Sequence, residues 1–189
     1  MNSSTIEYLL NRRRRVVIES SDLVHSAVLV PLYVNDSDPF VLLTKRTGHV
    51  EHHKGEISFP GGGRSSEDKD LVDTALRETE EEVGLRRELI HVLGPLDDIA
   101  TVTGFRITPF VGTFQFPFEY KINKFEIERL LEVPLKLLAV EGAWRVTERV
   151  YKGARLKSFY HELGDDIIWG ATASILKSFV ELMQADGML

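Results

Sequence analysis

The chain has 189 residues and a formal net charge of −6, with 43% hydrophobic and 28% charged side chains, which suits one soluble, globular domain with a substantial core. The negative charge argues against a general nucleic-acid binder. The chain contains no cysteine, which excludes disulfides, thiolate metal sites and cysteine nucleophiles and leaves oxygen or histidine nitrogen to hold any metal.

Ser4-Thr5-Ile6-Glu7 has the form of a capping box opening a short helix through Tyr8, Leu9 and Leu10. Arg12 to Arg15 follow as a basic run, read as a solvated helix end or a phosphate-facing patch. His25 to Val34 is rich in Val and Leu and predicts a central strand, with a turn at 35–39 and a returning strand from Phe40 to Thr44. Residues 45–65 carry Gly, His and Pro and read as a functional loop around a short strand at Ile57 to Phe59. Residues 66–83 give the clearest helix, with Leu71, Val72, Ala75, Leu76 and Val83 on one side and Gly84 as a stop. Strands are expected at Leu89 to Leu96 and Ile107 to Phe116, and a short helix at Phe125 to Leu131. A late hairpin (144–151 and 155–160, around Lys152-Gly153) precedes a closing amphipathic helix from Thr172 to Met183. Helices and strands alternate irregularly, with hairpins among them. The expectation is an α/β fold, a mixed sheet flanked by helices rather than a doubly wound parallel sheet.

No apolar run reaches the ~18 residues of a membrane span, and the segment before Arg12 lacks an apolar signal core. The last residues, Gly187-Met188-Leu189, are not a peroxisomal address. A cytoplasmic enzyme is expected.

The chemistry concentrates at Glu78-Thr79-Glu80-Glu81-Glu82. On a helix Glu78 and Glu82 stand about 40° apart and Glu81 about 60° to the other side, so these carboxylates share one stripe. Like charges at this spacing are unfavourable by roughly 0.2–0.5 kcal/mol per pair. They also lie near the helix C-terminus, where the macrodipole disfavours them by about 0.3–1 kcal/mol. A hard divalent cation reverses both effects, and magnesium is commonly shared between carboxylates and phosphates. The competing interpretation is a solvated acidic face. Upstream, Phe59-Pro60-Gly61-Gly62-Gly63 can bring backbone close to an anionic ligand through Gly61 and Gly62, and Ser65 with Asp68 resembles a helix start. Arg77 is placed to bridge neighbouring carboxylates and fix their rotamers.

Glycines followed by a helix carrying Arg77-Glu78-x-x-Glu81-Glu82-x-Gly84-Leu85 resemble the box of the Nudix hydrolases. The resemblance implies a mixed sheet sandwiched between helices in a single domain. Residues 25–189 would form that domain, behind an N-terminal helix and basic segment at 1–24. It also implies magnesium or manganese at Glu78 and Glu82, with Glu81 as a further ligand or general base. Two positions depart from the box: Lys69 stands where an acid is expected, with Asp68 one residue earlier, and Thr79 replaces an aliphatic residue.

The run Leu42-Leu43-Thr44-Lys45-Arg46-Thr47, continuing through His49-Val50-Glu51-His52-His53-Lys54-Gly55-Glu56 to the glycines, resembles the motif of the coenzyme A pyrophosphatase branch. The wider likeness spans roughly residues 25–175, including Thr101-Val102-Thr103-Gly104 and Glu132-Val133-Pro134-Leu135. It implies hydrolysis of coenzyme A, its thioesters or its oxidised form, to 3′,5′-ADP and 4′-phosphopantetheine. Arg46, Lys54, Lys45 and protonated His53 are then candidates to meet the phosphates, arginine being suited to bidentate contact. His53 has a second reading, as a hydrogen-bonding support for the glycine loop. A zinc site at His49, His52 and His53 lacks helical register and any supporting cysteine. Glu126 matches a family acid position, so the base is open between Glu81 and Glu126. Family likeness also suggests a homodimer and a small-molecule substrate, with no nucleic acid or membrane partner. The alternatives are another nucleoside diphosphate derivative (ADP-ribose, a dinucleotide, a nucleoside triphosphate) or a non-catalytic binding module of the same fold.

Overall fold

A computed structural model describes residues 2–48, 54–151 and 154–189. Helix α1 (Ser3–Arg12) leads into strand β1 (Val24–Asn35), which turns at Asp36-Ser37 into β2 (Asp38–Arg46). Both turn residues have positive φ, 47° and 72°, the signature of a two-residue hairpin whose twist matches its strands. β1 and β2 pair only near this turn, from Leu32↔Val41 to Asn35↔Asp38. Beyond it they part, and β3 (Ile57–Ser58) and β4 (Gly61–Gly63) enter the gap. β3 pairs with the end of β2 through Thr44↔Ser58, and β4 with the start of β1 through Ala27↔Gly62. The Leu29 amide donates to Pro60 O at 2.9 Å and closes the wedge. The glycine loop is therefore part of the sheet.

Helix α2 (Leu71–Val83) and a 3₁₀ turn precede β5 (His91–Pro95), β6 (Ile99–Ala100) and β7 (Phe105–Thr113). β7 runs parallel to β1 from Val24↔Phe105 to Leu32↔Thr113, and β5 and β6 pair antiparallel with β7. β8 (Ile127–Pro134) covers the other edge of β2, followed by the short α3 (Leu135–Leu138). β9 (Arg145–Tyr151), β10 (Ala154–Leu163) and β11 (Asp166–Trp169) form a separate antiparallel sheet, and α4 (Gly170–Ala185) closes the chain.

β1 is buried on both faces. Ala27 and Leu29 pack with Ala75 of α2 and Phe110, whereas Val30 and Leu32 join the larger core under α4 with Leu176, Phe179 and Val180. The mixed sheet thus lies between helices, as the irregular alternation predicts. Ile6 and Leu10 of α1 belong to that same larger core. Among the described residues no helix is long and apolar enough to cross a membrane.

Several local expectations are corrected. Helix α2 starts at Leu71, not 66, because the Asp70 carboxylate caps it through the Asp73 amide at 2.8 Å. Ser65 and Asp68 form the turn before it. Helix α1 is capped by Asn2, whose side chain accepts from the Ser4 amide, rather than by Ser4. The segment 125–131 is not a helix, since Ile127 to Pro134 is strand β8. Its pairing with β2 shifts register at Lys45/Arg46, which face Arg129 and Ile127. The extra residue, Glu128, leaves Ile127 and Leu131 inward four apart, so a bulged strand carries the spacing of a helix.

The basic run is also not a uniform patch. Its extended backbone turns Arg13 to Asp97 and Arg15 to the buried Asp98, while Arg12 and Arg14 stay exposed.

Candidate active site

The site forms where α2 lies against β4. Gly84, with φ of 73°, ends the helix, and its amide donates to Glu80 O. The last helical carbonyls are taken up by a crossing segment, with Lys121 N–H donating to Val83 O at 3.0 Å and Asn123 N–H to Glu82 O at 2.9 Å. A Cβ on Gly84 would stand 2.7 Å from Lys121 Cβ, so glycine permits this crossing. The segment then turns so that the Asn123 amide group donates to Glu126 Oε1 at 3.1 Å. Glu126 is thereby held beside the glutamates of α2 without belonging to a helix.

Arg77 organises the outer half of the site. Its Nε and Nη2 donate to the two oxygens of Asp68 at 2.8 and 3.1 Å, and Nη1 reaches Glu78 at 2.8 Å and Glu81 at 3.1 Å. Nη2 also reaches Gly63 O at 3.3 Å. Asp68 is buried and accepts the Ser65 amide at 2.7 Å and the Thr74 hydroxyl at 2.9 Å. The Arg77 hydrogen bonds hold the Asp68 carboxyl well below the usual range, against the opposing effect of burial. Lys69, at the position where an acid was expected, is exposed, and its amide donates to Asp73. Asp68 supplies the clamp from one residue earlier. Thr79 is buried and returns its hydroxyl to Ala75 O, so its departure from the box leaves the acidic stripe untouched.

Glu82 forms the inner half. Its side chain is 3% exposed and accepts the Gly61 amide at 3.3 Å and Arg46 Nη1 at 3.1 Å. Arg46 Nη2 stands 3.6 Å from Glu126, so one guanidinium joins the carboxylates of α2 and the β8 turn. Burial pushes the Glu82 carboxyl up to about 7; Arg46 and the Gly61 amide oppose that shift, and Glu78 and Glu126 add to it. Burial likewise raises Glu78. Gly62 lies flush against Glu78, for an added Cβ would stand 2.6 Å from its carboxyl carbon. Glu81 is largely exposed, with only Arg77 as its described partner.

The structure therefore brings together Arg46, Gly61, Gly62, Arg77, Glu78, Glu81, Glu82 and Glu126. Lys54 is exposed on a turn with Gly55 at φ 68°. Lys45 points to the other side of the sheet, where it and Arg129 pair with Asp166. His49, His52 and His53 lie outside the described residues. Asn123, Thr74 and the Asp166 pairing carried no signal in the sequence, because each depends on a contact with a distant segment or on loop geometry.

The donor set suits a hard divalent cation: all its ligating atoms are oxygens, and two carboxylates are held in poorly solvated positions where charge is disfavoured. Among the described residues no three acidic or histidine side chains already converge on one coordination point. Glu78 and Glu81 are turned to Arg77, and Glu82 to Arg46. Bringing them to one ion means exchanging guanidinium contacts for metal contacts.

The NUDIX domain profile matches residues 23–137. A protein of Yersinia enterocolitica named as the uncharacterized Nudix hydrolase NudL is 35% identical over 164 residues, covering 86% of this chain and 83% of its own length. Its counterpart in Photorhabdus laumondii is 31% identical over 160 residues, covering 85% of each chain. Among solved structures, a MutT/nudix family protein from Enterococcus faecalis aligns over 99% of this chain and 80% of its own, with a TM-score of 0.56 at 16% identity. The Ap4A hydrolase of C. elegans aligns over 87% and 98%, with a TM-score of 0.54 at 13% identity, a likeness of fold alone. With the profile spanning more than half of the chain and relatives above 30% identity over most of its length, the protein belongs to the Nudix hydrolase family.

Proposed function

We propose that this protein hydrolyses the diphosphate of coenzyme A to 3′,5′-ADP and 4′-phosphopantetheine, and that of its thioesters or oxidised form to 3′,5′-ADP and the corresponding acylated or disulfide-linked phosphopantetheine. The carrying observation is the pair of shielded carboxylates, Glu78 and Glu82, held against the backbone of Gly61 and Gly62 with Arg46 beside them. A diphosphate meeting that surface finds a close-packed glycine backbone, a guanidinium and oxygen ligands for magnesium or manganese in one place. The segment from Leu42 to Gly62, similar to the coenzyme A pyrophosphatase motif, supports the choice of substrate.

Glu78 and Glu82 would hold the ion, with Glu81 at the exposed margin. The ion supplies charge neutralisation of the diphosphate and eases deprotonation of the attacking water. Arg77 acts by position, holding Glu78 and Glu81 in place from its anchorage on Asp68. Arg46 would meet a phosphoryl oxygen, and the motif likeness makes Lys54 and His53 further candidates to meet the phosphates. Glu81 or Glu126 would take the water's proton. Glu126 is tethered by Asn123 and Glu81 by Arg77. Water adds across one P–O–P bridge, so each product carries one of the two phosphates.

The test is parallel hydrolysis of coenzyme A, ADP-ribose, a dinucleoside polyphosphate and a nucleoside triphosphate with magnesium and with manganese. The highest kcat/KM is expected for coenzyme A. A clear preference for a compound lacking the 3′-phosphate and pantetheine overturns the choice of substrate. Tight binding without turnover in either metal indicates a binding module instead.

A further inference from the structure

Two arginines neutralise the glutamates, and they are held very differently. Arg77 is locked, with both oxygens of buried Asp68 gripping its Nε and Nη2 and with Glu78, Glu81 and Gly63 O as further acceptors. Among the described residues, the Arg46 guanidinium makes one hydrogen bond, to Glu82 at 3.1 Å, and one looser ion pair, to Glu126 at 3.6 Å. Its Nε is buried and has no hydrogen-bond partner among the described residues. An unpaired buried N–H is unfavourable, and a planar guanidinium presents its donors as a fork matched to a phosphate or carboxylate. Arg46 therefore retains an unused donor suited to an anionic oxygen beyond Glu82 and Glu126.

We propose that Arg46 is an exchangeable counter-cation, which neutralises Glu82 and Glu126 until a divalent ion takes its place and which then turns its fork to the substrate diphosphate. The inference rests on the proposed metal-dependent diphosphate chemistry and adds a coupling to it. Ion and guanidinium compete for the same carboxylates, so metal entry releases the group that captures substrate. Arg77 cannot serve this way, because Asp68 keeps its charge compensated and its direction fixed. The contrast follows from what each guanidinium touches on its far side: a buried carboxylate for Arg77, an empty donor for Arg46.

The experiment measures Mn²⁺ binding to metal-stripped protein by titration calorimetry, with no substrate present, for wild type, Arg46→Gln and Arg46→Lys. Removing a competing positive charge at hydrogen-bond distance from a ligand should tighten Mn²⁺ by about tenfold in Arg46→Gln. Arg46→Lys, which keeps the charge, should stay within about twofold of wild type. Both variants should raise KM for coenzyme A. Thermal unfolding in chelator and in Mn²⁺ follows the same competition, and the gain in Tm on adding Mn²⁺ should be larger for Arg46→Gln than for wild type. If Arg46→Gln binds Mn²⁺ equally or more weakly and wild type still turns over coenzyme A, the counter-cation role is overturned while the proposed function stands. If wild type binds no Mn²⁺ at all, both fall together.

Discussion

Asp68→Ala tests whether the site is built on a clamp outside the glutamate cluster. The side chain is 2% exposed and accepts four hydrogen bonds, two of them from Arg77. Removing one partner of a buried ion pair costs about 3–5 kcal/mol. Arg77 is 25% exposed and keeps Glu78 and Glu81, which moves the expected loss down to about 2–3 kcal/mol. For a chain of this size each kcal/mol lowers Tm by about 2–4 °C, so a drop of roughly 4–12 °C is expected at pH 7.

The acid limb gives an independent sign. The Asp68 carboxyl sits below its usual range in the folded protein, chiefly through Arg77. Its stabilisation is complete above the unfolded value near ~4 and is lost as pH falls toward the folded one. The gap between wild type and variant should be full at pH 7 and shrink below about pH 4. Freed from the clamp, Arg77 no longer sets the Glu78 rotamer, so half-saturating magnesium should rise even at temperatures where the variant is folded. Calorimetric unfolding across pH, with magnesium titrations of turnover, makes the measurement. A Tm within about 1 °C of wild type, with unchanged magnesium dependence, would refute the clamp.

Two further substitutions separate packing from chemistry. Gly62→Ala puts a Cβ 2.6 Å from the Glu78 carboxyl, a flexible end that can move; near-native Tm is expected, with half-saturating magnesium raised about tenfold, the scale set by a second-sphere change in metal affinity. Gly61→Ala, at φ 151°, puts a Cβ 2.4 Å from Ala27 O and 2.6 Å from Val28 Cα, so loss of folded protein is expected and circular dichroism checks it. Glu82→Gln should abolish turnover at saturating magnesium yet raise the Tm of metal-stripped protein at pH 8. The folded carboxyl is pushed up to about 7, so wild type loses stability as pH rises from about 4.5 to 7, by about 3 kcal/mol in full. The advantage of the variant should vanish near pH 4.5, and an equal or lower Tm at pH 8 would contradict the burial argument.

Much of the inner site was legible because it is helical and contiguous. Helical periodicity alone places Glu78, Glu81 and Glu82 on one stripe, and the glycines announce a close backbone approach. Asp68 was harder, because the segment before α2 is a turn, and counting residues along a turn does not say which side chain faces inward. There Lys69 is exposed, its amide on Asp73, and Asp68 inside. The bulge at Glu128 gave β8 a helical spacing, and Arg13 and Arg15 meet acids more than eighty residues away. For the bulge and the two arginines the deciding partner is remote in sequence, and local pattern follows the nearer rule.

The placement of the glutamates at the C-terminal end of α2 looked unfavourable in sequence, and a cation was the remedy that sequence suggested. The structure adds a remedy within the chain. The Lys121 and Asn123 amides bond the final carbonyls of α2, so the helix end already has donors on it. The same segment delivers Glu126 to Arg46 and is admitted only because position 84 lacks a side chain. Gly84 is therefore more than a helix stop. It lets one crossing segment satisfy the helix terminus and complete the carboxylate group, so the acidic end of α2 is supported by backbone donors before any ion arrives, and a cation there is free to act on substrate charge rather than to rescue the helix.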